Sequence, residues 1–380
     1  MDNSAVKPLY VRQVCLFFIA FLPVTKLFSL PSALSENAGR DMWLSAAVCL
    51  AADFLVATLL TMALHAADTD FFELCERFFG KIGSKIIFAI YLVSLLLRSV
   101  LPIAEQRDYV NLTLYVTRPD LWVFFPFFII AFYLCTKKLR VIGRCAEVFF
   151  FLTLAGLTFI IVLALKDLDL GAILPIGKSG VKPIFKGAYR ASPWFGDCLY
   201  LMFFLGNCKK EKKQTLKILL SYAVAGIAVL IFVIIFYGTF SAIAFRQRFA
   251  LTEMSKYADV INNVGRFDYM GIFMILASGT VAAILPLFFA ARIAEKLFGI
   301  KKRWACPIAV SVISALPLLF FLQYFSGIEK FITGTASALF ILTDLVFPSI
   351  LSVAVLISAK SKNTSESGTY KIQGANNEIS

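Results

Sequence analysis

The sequence predicts an all-α polytopic membrane protein with about ten transmembrane helices in two five-helix inverted repeats, in which helices one and six are broken. Apolar residues make up 59% of the 380 positions, and the mean hydropathy is +0.81. A soluble domain has roughly 45–50% apolar residues. The apolar residues collect in runs of about 20, the length that crosses a bilayer. Proline and polar residues interrupt the first and the sixth of these runs.

Ten apolar runs are separated by connections too short to form a separate soluble domain. We therefore predict one transmembrane domain over residues 1–358, with repeat one at about 11–166, repeat two at about 187–358, and a disordered polar tail at 359–380. The predicted spans are residues 11–35, 42–64, 84–110, 120–136, 142–165, 187–206, 216–240, 267–295, 304–323 and 335–358.

The formal net charge of +13 comes from lysine and arginine clusters between the apolar runs, a pattern that orients membrane proteins and does not indicate nucleic-acid binding. If the N-terminus is cytoplasmic, the cytoplasmic segments contain 22 of these residues and the opposite segments contain 13. The excess predicts that both termini are cytoplasmic. Two outer loops, at residues 166–190 and 246–266, are long. The second contains either a short helix on the outer surface or a plain connector.

The first span is broken at residues 21–31 (FLPVTKLFSLP). Pro23 and Pro31 each remove a helix hydrogen bond and clash with the preceding turn. In a bilayer, the backbone groups freed by such a break must be satisfied by protein or by a water-filled cavity. Because Thr25 and Lys26 lie here, the stretch predicts either a binding site that contains a cation or a kinked helix whose Lys26 snorkels to an interface.

The sixth span has the same feature, because residues 192–197 (SPWFGD) place helix breakers and polar groups in an apolar run. Spans one and six are the first members of the two five-span halves. Interrupted segments at corresponding positions of two halves are typical of the substrate site of an inverted-repeat transporter. The two breaks therefore predict that spans one and six meet at a binding site near mid-membrane.

Charge inside a membrane span is costly and usually faces a cavity or a partner. Among the ionisable residues of the predicted spans, five stand out: Lys26, Asp53, Arg98, Asp197 and Asp344. Because spans one and two are consecutive, we expect Lys26 to pair with Asp53. The set either holds helices together, recognises a zwitterion or titrates a proton. At least one of Asp53 and Asp344 is expected to be protonated in one state unless a cation pairs with it.

Span three carries a polar stripe, since Tyr91, Ser94, Arg98 and Glu105 recur at helical spacing on one face. This stripe is expected to point into the bundle. The sequence shows no nucleophile–base pattern, glycine-rich phosphate loop or metal-ligand cluster, and its eight cysteines are scattered. We therefore predict no enzyme activity, no cofactor and no metal site.

Several short motifs occur in a characteristic order along residues 10–358. They are LPS at residues 30–32, ENAGRDMW at 36–43, FELCERFFGK at 72–81, ILPI at 173–176 and GRFD at 265–268. In order and spacing, this set resembles the endospore germination permeases, the B subunits of spore germinant receptors. The resemblance implies a LeuT-like bundle of the amino acid–polyamine–organocation transporter superfamily.

The same resemblance implies a receptor subunit of the spore inner membrane that binds a small germinant, commonly an amino acid. It also implies two partner subunits, a larger membrane protein and a lipoprotein, in addition to membrane lipid. Many family members have a glycine-containing turn in helix one, whereas this chain has Val24, Thr25 and Lys26. Two other functions stay open, namely a proton-coupled amino-acid transporter and a scaffold subunit that has lost ligand binding.

On this basis we predict a ligand pocket between the two breaks. Lys26 and the backbone of Val24 and Thr25 are expected to hold a ligand carboxylate. Asp197 is expected either to receive the ligand ammonium or to cap the broken helix. Trp194 and Phe195 are expected to wall the compartment for the ligand side chain, and Gly196 is expected to let the backbone pass close to the ligand. The face of span three with Tyr91 and Arg98 and the stretch of span eight at residues 271–280 are expected to close the site, where Ser278 or Thr280 adds a hydrogen bond.

The charge distribution makes a topology prediction that cysteine labelling can test. In a background without the native cysteines, Lys210→Cys and Ser380→Cys are expected to react with a membrane-impermeant reagent only after the cells are permeabilised. Lys178→Cys, in the first long outer loop, is expected to react in intact cells. Labelling of positions 210 and 380 from opposite faces would contradict the predicted orientation.

Overall fold

The computed structural model describes residues 9–67, 69–113, 120–256, 268–300, 302, 304–320 and 325–360, and these residues are helical apart from their connections and one isolated bridge. The predicted disordered tail lies outside the described residues from position 361 onward. The helices are α1 (Val11–Phe21), α2 (Leu30–Ala38), α3 (Met42–Ala66), α4 (Phe71–Thr113), α5 (Asp120–Cys135), α6 (Leu139–Ala164), α7 (Val181–Ala191), α8 (Tyr200–Phe204), α9 (Gln214–Phe240), α10 (Ala250–Lys256), α11 (Asp268–Phe298), α12 (Ala305–Phe320), α13 (Phe325–Thr333) and α14 (Ser337–Ile341), which continues as a π-helix (Leu342–Val346) and a helix at 347–360.

Six helical stretches of the described residues are long and apolar enough to cross a membrane. They are Leu30–Ala66, Phe71–Asp108, Leu139–Val162, Gln214–Arg246, Phe273–Phe298 and Gly327–Lys360, the first of which joins α2 to α3. Two shorter apolar helices, Phe125–Cys135 and Ala305–Leu316, and the two interrupted spans, α1–α2 and α7–α8, complete a bundle of about ten crossings. The predicted all-α membrane fold is confirmed.

Span eight lies at the centre of the bundle. Its helix α11 packs against α4, α5, α6 and α12, and every residue from 281 to 291 is buried. Helix α1 packs against α6, α9 and α11, while α3 packs against α7 and α9. Large apolar side chains on outer helices, such as Ile82, Phe151 and Leu216, are exposed, as expected where a helix faces lipid. The breaks in spans one and six are therefore surrounded by other helices of the bundle.

The break in span one is a short non-α segment between α1 and α2. The α-helix ends just before Pro23, a 3-10 turn follows at Val24–Lys26, and α2 begins with Pro31 in its first turn. Proline is tolerated there because the first N–H groups of a helix have no intrahelical partner. The prolines thus set both ends of the break.

The loop after span seven contains α10, which is built into the bundle. Its apolar residues are buried. The backbone N–H groups of Ala250 and Leu251 donate to the carbonyls of Phe28 and Leu27, at 3.0 and 3.1 Å. This helix therefore satisfies backbone groups of the break in span one (break one). We expected such a role neither for a short helix on the outer surface nor for a plain connector. Residues 257–267, with most of the GRFD motif, lie outside the described part of the chain.

Span six is interrupted between α7 and α8. A 3-10 turn at Ser192–Trp194 is followed by an extended Phe195, then by Gly196 with a φ of +82°, and a second 3-10 turn leads into α8. A positive φ of this kind is strain-free only for glycine. Space is also limiting, because a Cβ at Gly196 would lie 2.7 Å from the Cβ of Asp344 in span ten.

The N-terminal segment and the basic loop after span six lie at the same end of the bundle. Leu9 donates its N–H to the carbonyl of Asn207 and accepts from the N–H of Lys209, both at 2.8 Å. This arrangement agrees with the predicted placement of both segments on one side of the membrane. Which side that is stays a prediction.

Gly196→Ala is expected to destabilise the protein more than Gly299→Ala. Both glycines have a positive φ, +82° and +64°, but nothing lies within 4 Å of a Cβ at Gly299. The control should cost about 1–2 kcal/mol of unfolding free energy for its φ. Gly196→Ala should cost about 1–3 kcal/mol more, because the new methyl group overpacks against Asp344. Thermal unfolding in detergent measures the difference, and equal shifts in Tm would contradict the close approach.

Candidate functional site

The two breaks lie side by side, and Lys26 joins them. Its side chain is 0% exposed. The ammonium donates to the carbonyl of Leu22 at 3.0 Å and forms an ion pair with Asp197 in the break of span six. It also lies 5.4 Å from the centroid of the Phe195 ring, within cation–π distance. One cation therefore binds the backbone of one break and the carboxylate of the other.

Two interpretations of Lys26 drawn from the sequence are wrong. Its side chain does not snorkel to an interface, because it is buried between the breaks. Its carboxylate partner is Asp197 and not Asp53. Although spans one and two are consecutive, α3 presents Asp53 to the N–H of Gly196 and the hydroxyl of Tyr222, at 2.7 and 3.0 Å. The two roles expected for Asp197, receiving a ligand ammonium or capping the broken helix, stay predictions.

Two further charged residues bind the backbone of the break in span six. Asp53 accepts from the N–H of Gly196, and Arg98 donates to the carbonyl of Phe195 at 2.6 Å. Arg98 also forms an ion pair with Asp344. One N–H and one carbonyl of the break thus have partners inside the protein, as a bilayer requires.

The polar stripe on span three contacts span ten, as well as the break. The hydroxyl of Tyr91 donates to the carbonyl of Thr343 at 2.6 Å, and the hydroxyl of Ser94 lies 2.9 Å from that of Thr343. Thr343 and Asp344 belong to the π-helix, a wider helical turn that is frequent at functional sites. Tyr91 therefore positions span ten behind the break of span six.

A cavity of about 30 Å³ lies between the breaks and spans three and eight. This volume has room for about two water molecules. Two buried polar atoms on its lining residues, Thr25 Oγ1 and Arg98 Nε, have no hydrogen-bond partner in the described part of the chain. Such groups are rare in native proteins, and a water molecule or a ligand in the cavity would supply their partner. The remaining lining residues are Phe17, Phe18, Phe21, Leu22, Leu101, Pro102, Pro193, Trp194, Asp197, Tyr200, Ala282, Leu285 and Pro286.

Span eight reaches this cavity later in its helix than we expected. The lining residues of α11 lie at positions 282, 285 and 286. The hydroxyls of Ser278 and Thr280 donate to the carbonyls four residues earlier in their own helix, at 3.3 and 2.9 Å. Their contact with a ligand stays a prediction.

Val24 lies where break one meets span eight. A Cβ at Gly279 would be 3.2 Å from Val24 Cγ1 and 2.9 Å from the side-chain nitrogen of Gln106. The absence of a side chain at Gly279 therefore lets the break approach α11 closely. Val24 contributes packing at this point, and its backbone role toward a ligand stays a prediction.

A second cavity, of about 370 Å³, lies on the far side of the break in span six, between α3, α7 and α14. Asp53, Gly196 and Asp344 contribute to its wall, and most of the other lining is apolar. Two of its lining residues, Phe185 and Tyr189, are 57% and 40% exposed, so the cavity opens to the surface of the protein. The break of span six thus separates two cavities.

Three contacts of the site could not be placed from the sequence. Glu105 accepts a hydrogen bond from the indole N–H of Trp194 at 2.9 Å and another from the hydroxyl of Ser29. The stripe on span three identified the face that carries Glu105 but gave no partner for it. The third contact is the hydrogen bond from the hydroxyl of Tyr222 to Asp53. Tyr222 lies within an apolar run of span seven, where a single tyrosine gives no sequence pattern that would indicate a partner.

Solved structures of membrane transporters have the same fold. MhsT in complex with L-phenylalanine is 12% identical, with a TM-score of 0.64 over 92% of this chain and 98% of that one. Mhp1, a nucleobase-cation-symport-1 family transporter in a closed conformation with bromovinylhydantoin bound, is 14% identical, with a TM-score of 0.62 over 95% and 96%. These matches confirm the LeuT-like fold and, at such identities, nothing beyond the fold.

A mutant of the Eremococcus coleocola manganese transporter is 10% identical, with a TM-score of 0.58 over 94% of this chain and 79% of that one. In the described residues of the present chain, no group of three or more His, Cys, Asp or Glu side chains could hold a metal ion. At 10% identity, this likeness is also one of fold alone.

Two sequence comparisons bear on the family of this chain. Comparison with curated proteins gives no match. A family model described as "Spore germination protein" matches residues 10–326, which is most of the chain. The match confirms the resemblance carried by the short motifs. The chain belongs to the spore germination protein family.

Proposed function

We propose that this chain is the membrane subunit of a spore germinant receptor and that it binds a small zwitterionic germinant, an amino acid, between the breaks of spans one and six. Family membership supports a germination-related membrane protein or transporter. The observation that carries the finer proposal is the buried Lys26–Asp197 ion pair at the junction of the breaks. A cation and an anion at one junction complement the two charges of a zwitterion.

The lining of the small cavity supports recognition of a carboxylate. Thr25 Oγ1 and Arg98 Nε offer buried donors next to the Lys26–Asp197 pair. Hydrogen bonds between such donors and a carboxylate are strengthened by its charge. Asp197 supplies the acceptor for a ligand ammonium, and Trp194 supplies an aromatic wall for the ligand side chain.

The size of the cavity implies that the protein changes shape when it binds a ligand. A cavity of about 30 Å³ holds about two water molecules and is too small for an amino acid. The ligand must therefore bind a state in which the breaks lie further apart. Its higher affinity for that state supplies the free energy that shifts the equilibrium. In a receptor, exchange of the internal ion pair for two ligand contacts is the event that the partner subunits would detect.

Lys26→Met is expected to abolish ligand binding at ordinary concentrations. Removing one partner of a buried ion contact costs about 3–5 kcal/mol, which is roughly two to three decades in affinity. Lys26→Arg is expected to restore binding only partly, because a planar guanidinium differs in shape from a compact ammonium. Binding of radiolabelled common amino acids, tested as a panel on purified protein in lipid nanodiscs, measures the effect.

Lys217→Met is the matched control for this experiment. Lys217 forms an exposed ion pair with Glu211 at 3.1 Å, and loss of such a pair costs about 0–1 kcal/mol. Size-exclusion chromatography checks that each variant is folded and monodisperse. If folded Lys26→Met protein binds the same amino acid as the unmodified protein with unchanged affinity, Lys26 has no role in recognition and the proposed site is wrong.

Receptor, carrier and scaffold functions predict different biochemical behaviour. We expect the chain to co-purify from spore inner membranes with a larger membrane subunit and a lipoprotein, and to bind an amino acid without accumulating it. The fold shared with transporters makes a proton-coupled carrier the second candidate. Accumulation of a labelled amino acid in proteoliposomes containing this chain alone would support the carrier. Co-purification without any amino-acid binding would support the scaffold.

A further inference from the structure

Glu105 of span three is a buried acid that forms no ion pair with any described residue. It is 3% exposed. One carboxyl oxygen, Oε1, accepts from the hydroxyl of Ser29 and from the indole N–H of Trp194. The other oxygen, Oε2, has no hydrogen-bond partner, and no lysine or arginine of the described residues forms an ion pair with Glu105. The site proposed above for an amino acid does not use this group.

The cations nearby are occupied by other acids. Within the described part of the chain, the buried cations of spans one and three are paired as follows: Lys26 with Asp197, Arg98 with Asp344 and Arg107 with Asp108. Each pair contains an aspartate, so none of these cations compensates the charge that an ionised Glu105 would carry.

Charged groups on neighbouring elements contact the helical turn of span three that follows Glu105. Arg248, which precedes α10, lies 3.1 Å from Asp108 of span three and 4.0 Å from Glu329 of α13. Arg248 and Glu329 act on Glu105 electrostatically with opposite signs, so their fields oppose each other. The side chain of Arg248 is 50% exposed. This outer cluster of Asp108, Arg248 and Glu329 therefore places a half-exposed cation next to the helical turn that follows Glu105 in span three.

We propose that Glu105 is a proton-binding site and that Oε2 carries the proton. An isolated carboxylate in the interior of a membrane protein is far more costly than a neutral carboxyl group. The neutral group keeps Oε1 as the acceptor for Ser29 and Trp194 and places the proton on the oxygen that has no donor. The proton comes from water on the side of the outer cluster and returns to water, and only an O–H bond forms or breaks.

The hydrogen bonds of Glu105 connect this proton site with both breaks. Ser29 is the N-cap residue of α2 at the end of break one, and Trp194 belongs to the break of span six. Any motion that separates the breaks must change the hydrogen bonds of Glu105, and donors to a carboxyl group change the balance between its two protonation states. The existence of the proton site does not depend on whether an amino acid binds between the breaks.

Infrared spectroscopy of the unmodified protein in lipid nanodiscs tests for this proton without any ligand. A protonated carboxyl group has a C=O stretching band that a carboxylate lacks. Among the fully buried acids of the described residues, Glu105 is the glutamate, and the others are Asp41, Asp53, Asp197 and Asp344. Carbon-13 labelling of glutamate and exchange into deuterium oxide are therefore each expected to shift such a band. If no band responds to glutamate labelling, Glu105 is ionised and the proposal fails.

Variants assign the band to Glu105. Glu105→Gln is expected to lose the band, whereas Glu329→Gln, which alters the partly buried glutamate of the outer cluster, is expected to keep it. Ser29→Ala and Trp194→Phe each remove a donor to the carbonyl oxygen and are expected to shift the band to higher frequency. A band that persists in Glu105→Gln, or that moves in neither donor variant, would overturn the assignment. Neither result depends on the outcome of the Lys26→Met binding experiment.

Discussion

A helix that breaks inside a bilayer must find partners within the protein for the backbone groups that it leaves open, and this constraint accounts for much of the buried charge in the bundle. Charged side chains of three spans bind these groups: Lys26 binds the Leu22 carbonyl, Asp53 the Gly196 N–H, and Arg98 the Phe195 carbonyl. A buried charge in turn needs compensation, which Asp197 gives to Lys26 and Asp344 gives to Arg98. The two proline-containing segments thus determine where the ionic network lies.

The arrangement in which the two breaks lie side by side depends on a few contacts of this ionic network. A buried ion pair adds little net stability, but removing one partner is strongly destabilising. A ligand that brings its own carboxylate and ammonium can replace both halves of the Lys26–Asp197 pair without leaving a bare charge. Glu105 bonds to residues of both breaks, and α10 caps carbonyls of break one. Movement of the breaks is therefore expected to change the contacts of span three and of α10.

The sequence predicted the fold and the positions of the breaks, because proline, glycine and polar residues within an apolar run are local signals. It could not predict the partner of Lys26. Asp53 and Asp197 are both acids at membrane depth, and the rotation of α3 about its axis decides which of them faces Lys26. The partners of Glu105 depend on how three spans pack, which the stripe on one helix does not determine. The contacts of α10 depend on tertiary structure in the same way.

A double-mutant cycle on Lys26 and Asp197 tests most directly the central claim that one buried ion pair joins the two breaks. The unfolding free energies of the unmodified protein, Lys26→Met, Asp197→Asn and the double variant would be measured in mixed micelles. Each single variant is expected to lose about 3–5 kcal/mol, because it leaves a buried charge without a partner. The double variant is expected to lose less than the sum of the two by about 1–3 kcal/mol, and additivity within about 0.5 kcal/mol would contradict the claim.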